Sequence, residues 1–196
     1  MNPIFKNIRP NLAGDHPKIH PTALIDPSAQ IIGNVMIGKD VFIGPLAVIR
    51  ADERGPDGTV APIVLDEEVN IQDGVIIHSH GGTSVTIGPR TSVAHGAVIH
   101  GPCTIGENCF IAMRSALYSA TLATTVWVGM GALVIRTTLD ACTYVPTGSV
   151  IRSNHDTWSL RLVSPKERKY MMEVLCATNQ LREDYLKARS LLKAAC

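Results

Sequence analysis

Aromatic residues are scarce: three Phe, two Trp and four Tyr make up 5% of 196 residues, although hydrophobic residues reach 45%. A core built on bulky rings is therefore excluded. Ile, Val, Leu and small residues must fill it, which suits thin stacked layers better than a sandwich. Charge of one sign is lacking too: the net charge is +1 and no run of Lys or Arg occurs before residue 166. Phosphate binding needs a clustered basic face, so nucleic acid is excluded as the main partner. No stretch of about 18 apolar residues is present, so no membrane span is expected. The opening MNPIFKNIRPN has neither an apolar segment nor a small-residue cleavage site, so it is not read as a secretory signal. The five cysteines (Cys103, Cys109, Cys142, Cys176, Cys196) are odd in number and form no CxxC pair. They read as small core fillers or surface thiols of a reduced, cytoplasmic protein.

What is present is a repeat. Aliphatic residues recur every six positions at Ile19, Ile25, Ile31, Ile37, Ile43 and Ile49. The register resumes at Leu65, Ile71 and Ile77, and again at Ile87, Val93, Ile99, Ile105, Ile111 and Leu117, with weaker echoes as far as Ile151. Four positions after each anchor stands a small or short residue, such as Ala23, Ala29, Ala47, Ala97, Cys103 or Ser115. A period of six is neither helical nor simple alternation. It suits a chain that runs one short face, turns a corner and runs the next. Three faces make a triangular coil, and coils stack by parallel pairing ~4.8 Å apart. Gly33, Gly38, Gly44, Gly88 and Gly106 are expected to ease the corners. Two insertions interrupt the register: ten extra residues between Ile49 and Leu65, and four between Ile77 and Ile87. Residues 1–18 read as an extended lead-in and 19–155 as the coil. From Ser164-Pro165-Lys166-Glu167, a capping-box start, a helix is predicted over 164–193. Its stripe would be Met171, Val174, Leu175, Thr178, Leu181, Tyr185, Ala188 and Leu192.

Counting hexapeptides places Arg50, His78 and His100 in one vertical column, each following its anchor directly. Neighbours in such a column lie ~4.8 Å apart, and two imidazoles so placed reach one ion with bonds of ~2.0–2.1 Å. Asp73 and His95 form a second column on the adjacent face, two residues after Ile71 and Val93. Alternation would turn that position inward unless it falls at a corner, and the count leaves the choice open. Because His95 sits on another wall, a three-His site closes more easily if a second copy supplies it. Arg50 would then meet the second copy's Asp73. His16, His20 and His155 read as surface or satisfied residues.

The segments IRADE (49–53), VNIQDGVIIH (69–78), SVAHGAVIHG (92–101) and CFIAMRS (109–115) resemble γ-class carbonic anhydrases. The likeness covers most of residues 19–151. It implies an all-β, left-handed parallel β-helix with a C-terminal α-helix. It also implies a homotrimer and metal ligands His78, His95 and His100, with His95 coming from the adjacent subunit. Arg50 and Asp73 match residues that bridge subunits, with Asp52 close by. Gln72 and Asn70 match the polar pair near the metal-bound solvent, and Glu53 a carboxylate that accepts a proton. One divalent metal per site is implied, zinc by default for three His donors, with iron(II) or cobalt(II) able to take the same set. The expected reaction is reversible hydration of carbon dioxide to bicarbonate. The loop after His78, Ser79-His80-Gly81-Gly82-Thr83, holds no acid where the best-known members carry a proton-shuttling glutamate, which makes His80 a candidate substitute. The alternatives are a structural or assembly subunit with little hydration activity, a thioesterase, and a hexapeptide acyltransferase.

Overall fold

The computed structural model describes residues 6–194, with side-chain environments through residue 191. Short strands joined by corners form three parallel sheets. The first wall stacks eight strands, from Ile8–Arg9 through Gln30–Gly33, Val48–Ala51, Ile76–Ser79, Val98–Gly101, Ala116–Tyr118 and Leu133–Ile135 to Val150–Ile151. The second wall stacks seven from Lys18–Ile19 to Thr138–Leu139, and the third seven from Leu24–Ile25 to Tyr144–Val145. Every wall is parallel and in register, anchor over anchor, as in Ile49, Ile77, Ile99, Leu117 and Val134. This is a left-handed parallel β-helix with one long C-terminal helix.

The period of six arises because each face contributes one inward aliphatic residue and each corner one inward small residue. Ile31, Ile43, Ile49, Ile71, Ile77, Ile99 and Ile111 are fully buried, and so are Ala29, Ala47 and Ala97. Corners turn through left-handed backbone, mostly at residues other than glycine, including Asp40, Leu46, Glu68, Arg90 and Asn108. Four of the five glycines expected to ease corners do a different job. At Gly38, Gly88 and Gly106 a Cβ would come within 2.7–2.8 Å of backbone in the next coil. At Gly44 it would come 2.6 Å from the Asp73 carboxylate. Only Gly33 of the five has a positive φ, 81°.

The coil starts earlier than the period shows. Ile8–Arg9 pairs with Ile31–Ile32 in the first wall, so part of the lead-in is a wall strand; residues 1–5 lie outside the described chain. A short helix, α1 (Asn154–Thr157), follows the last strand, and α2 runs Pro165–Ala194. At its start the Glu167 carboxylate accepts from Ser164 N at 2.7 Å, and Glu167 N donates to Ser164 Oγ at 3.4 Å. The Arg161 guanidinium bound to Glu167 pulls that carboxyl down to about 2.

Helix α2 lies on the third wall. Met171 and Val174 pack on an outer cluster of Ala94, Phe110, Ala112 and Val163. Further along, buried Arg182 pairs with Asp40 at 3.1 Å and donates to Thr22 O at 3.0 Å. Beside this ion pair Leu181, Tyr185 and Ala188 of the expected stripe face the same wall across an open groove lined by Leu24, Phe42 and Pro45, and they remain exposed. Leu192 lies beyond the described side chains. Cys103 and Cys109 are buried in the coil, Cys142 is half-buried and Cys176 exposed, all as free thiols; Cys196 is outside the described residues. No helix among the described residues is long and apolar enough to cross a membrane.

Candidate functional site

The outward side of the first wall carries Ile32, Arg50, His78, His100, Tyr118 and Ile135 in one register column. Beside it runs an apolar ladder of Val48, Ile76, Val98, Ala116, Leu133 and Val150. The rings of His78 and His100 stand 5.2 Å apart, edge to face. Tyr118 follows 5.5 Å beyond His100, and His80 stacks on His100 at 6.0 Å. The inserted loop returns two carboxylates to this column. Glu53 Oε1 is 3.3 Å and Asp52 Oδ1 3.6 Å from His78 Nε2, and Asp52 also binds Arg50 at 2.8 Å.

Two features of these imidazoles suit them to hold a cation. His78 Nε2 is buried with no hydrogen-bond partner, a costly state for a polar atom. Burial pulls its pKa down, Arg50 adds to that, and Glu53 opposes it, so the neutral ring is favoured. His100 Nδ1 lies 3.2 Å from the carbonyl of Gly101. A carbonyl only accepts, so Nδ1 carries the proton and Nε2 keeps its lone pair, the pattern of ligating histidines.

The other expected residues gather elsewhere. His95 and Asp73 occupy turns at the edge of the third wall, exposed, with His95 Nδ1 3.4 Å from Asp73 Oδ2. The corner answers the alternation question: both side chains point outward. Asn70 and Gln72 lie on the same wall. Gln72 Nε2 donates to Asn70 Oδ1 at 2.6 Å, and Asn70 Nδ2 donates to Ser92 and to Thr178 of α2. One chain thus brings together Arg50, Asp52, Glu53, His78, His80 and His100, and separately Asn70, Gln72, Asp73 and His95. No group of three His, Cys, Asp or Glu suited to a metal forms among the described residues of one chain. Within one chain Arg50 pairs with Asp52, and Asp73 lies beside His95.

Sequence reasoning missed two neighbours of these half-sites. Tyr118 follows Leu117 as His100 follows Ile99, so extending the column count by one coil would have found it. Thr178 falls within the apolar stripe read from the sequence; its short aliphatic hydroxyl among Val174, Leu175 and Leu181 is the signal. His16, His20 and His155 are exposed, with His20 bonded to Thr22 and His155 tilted against Trp158.

The pattern described as "Bacterial transferase hexapeptide (six repeats)" matches residues 16–51 and 84–117. A carbonic anhydrase of Methanosarcina thermophila is 31% identical over 174 residues, covering 76% of this chain and 68% of that protein. The chain belongs to the hexapeptide-repeat family. The carboxysome assembly protein CcmM of Nostoc sp. is 36% identical over 181 residues, covering 87% of this chain and 32% of its own. The chain therefore spans about a third of that relative's length. Among solved structures, a hexapeptide transferase family protein from Anaplasma phagocytophilum superposes with a TM-score of 0.75 at 25% identity, covering 90% of this chain and 96% of that one.

Proposed function

We propose that this chain is a γ-carbonic-anhydrase-type subunit. In this reading three copies associate, and His78 and His100 of one copy share a divalent cation with His95 of the next. The site so formed hydrates carbon dioxide reversibly. The observation that carries the reading is the pair of in-register imidazoles, one with a buried, unpartnered nitrogen, beside an exposed apolar ladder. A third imidazole waits at a corner on another wall. Three neutral imidazoles suit zinc, iron(II) or cobalt(II). Such a cation would supply Lewis acidity, bringing the pKa of a coordinated water to ~7.

The chain's own residues would do the rest. Glu53, 3.3 Å from His78, is placed to accept a proton and pass it to solvent. His80, exposed and stacked on His100, is placed to relay it in a loop without acid. Gln72, held by Asn70, would orient the reacting oxygen. Asp52 holds the Arg50 guanidinium ready to meet the Asp73 of a neighbouring copy. The ladder of Ile76, Val98 and Leu133 would exclude water from the contact.

A second reading is a subunit used for assembly, with little hydration activity. Two observations favour it: the likeness to carboxysome assembly proteins, at 36% and 35% identity, and the acid-free loop 79–83. The relatives' names weigh towards this reading and the half-site geometry towards the first. Acyl transfer is supported by likeness of fold, which does not by itself carry an activity.

The test is to mix His78→Ala chains with His95→Ala chains. Either variant alone should hold no cation and show no hydration. Mixed assemblies should regain both at some interfaces. Metal restored without hydration would select the assembly reading. Neither restored, despite demonstrated mixing, would remove the shared-cation site and the hydration reading with it.

A further inference from the structure

We propose that Thr178 of the C-terminal helix is a positioning residue that fixes which end of the Gln72 amide faces the half-site. The inference deepens the function proposed above and rests on it for its catalytic consequence alone.

Thr178 is 6% exposed and lies 3.0 Å from Val174 O, one helical turn back. A carbonyl only accepts, so the single hydroxyl hydrogen of Thr178 is committed there. Towards the wall, Thr178 Oγ1 can then act only as an acceptor. Asn70 Nδ2 donates to it at 3.1 Å, and its other hydrogen goes to Ser92 Oγ at 3.3 Å. The Asn70 amide therefore turns its NH2 to the helix and its Oδ1 to Gln72. That oxygen accepts from Gln72 Nε2 at 2.6 Å, and Thr178 Oγ1 stands 3.5 Å from the same nitrogen. The relay ends with Gln72 Oε1, which has no hydrogen-bond partner among the described residues. Gln72 is thus presented as an acceptor, suited to a water or hydroxyl proton. Reversed, its NH2 would point outward and repel such a donor.

Every link holds only because the last one does. Asn70 is 1% exposed, so its NH2 has no water to fall back on if Thr178 stops accepting. Arg182 and Asp40 clamp the helix one turn further on, which sets the height of Thr178 against the wall. The helix thereby becomes part of the site, although it lies 106 residues from Gln72 in sequence.

The experiment compares Thr178→Val, which keeps the shape and loses the hydroxyl, with Thr178→Ser, which keeps the hydroxyl. Two readouts are taken on the assembled, zinc-loaded protein. The first is the side-chain amide NMR signals of Asn70 and Gln72, assigned by their disappearance in Asn70→Asp and Gln72→Glu. The valine variant should shift both signals and speed their hydrogen exchange, and the serine variant should restore them. The second is hydration kinetics. A loss of ~10-fold in kcat with KM and zinc content unchanged is expected for valine, and near-full activity for serine. Amide signals indifferent to the valine substitution would overturn the proposal. So would equal loss of kcat in both variants, which marks a merely structural role. A wild-type protein without hydration activity would sink the functional reading instead, and the amide signals would still decide the role of Thr178.

Discussion

The first and third walls are built from the same repeat, yet their outer faces differ in what covers them. Helix α2 completes the third wall: Phe110, Ala94 and Ala112 point outward and are buried all the same, under Met171 and Val174. None of the described residues completes the first. Ile76 is 43% exposed and Val150 47%, in a ladder that runs beside His78 and His100. Scattered exposed aliphatics are ordinary, but a continuous ladder beside an unpartnered buried nitrogen is not. One wall is finished by intramolecular packing; the other keeps its apolar ladder exposed, which is what the proposed association of copies would bury. The residues resembling one active site are divided accordingly, some on the bare wall and some at the edge of the covered one.

Substitutions at equivalent outward positions sharpen the contrast. The largest effect is expected for Phe110→Ala on the covered wall. It removes the ring under α2 and should cost ~3–5 kcal/mol of unfolding free energy by denaturant titration. Ile76→Asp on the bare wall should leave the separated chain folded while abolishing association, as sedimentation would show. If Ile76→Asp leaves association intact, or unfolds the chain as Phe110→Ala is expected to weaken it, the comparison is broken. An intermediate effect is expected for Gly106→Ala. Its Cβ would lie 2.7 Å from the backbone of Ala123, and overpacking of this kind costs ~1–3 kcal/mol.

The smallest effect concerns the start of the covering helix. Glu167→Gln should cost ~1 kcal/mol, the usual worth of a cap. The folded-state carboxyl sits at about 2, below its ordinary range. Its contribution is therefore complete above the ordinary carboxylate pKa and disappears as pH falls through about 2. The gap in thermal midpoint between wild type and Glu167→Gln should be widest near neutrality and close in acid. A gap that persists unchanged at pH 2 would show that Arg161 and Glu167 do not act as a charged pair.

Much of this was legible in the sequence because a period of six is a one-dimensional trace of a three-sided prism. Counting anchors put Arg50, His78 and His100 into one column, and the register pairs them as counted. Where the chain leaves its period, counting fails. The strand Ile8–Arg9 precedes the first regular anchor, and the loop that returns Asp52 and Glu53 to His78 obeys no repeat. Glycine was misjudged for a physical reason: the corners accept left-handed Asp, Leu, Glu and Arg, whereas close coil stacking tolerates no Cβ at Gly38 or Gly106. Helical periodicity placed Thr178 correctly on the wall-facing side but said nothing of the amide it would meet. It also put Leu181 and Tyr185 on the wall side, where they line an open groove instead of a closed contact, while the Arg182–Asp40 pair makes the buried one.

The central claim is that imidazoles from two copies share one cation. It is tested most directly by anomalous diffraction from crystals of the zinc-loaded protein. The expected result is one peak per interface, ~2.0–2.1 Å from nitrogens of His78 and His100 in one copy and of His95 in another. A peak held by the side chains of a single copy, or crystals of assembled protein in which the three rings share no peak, would contradict it.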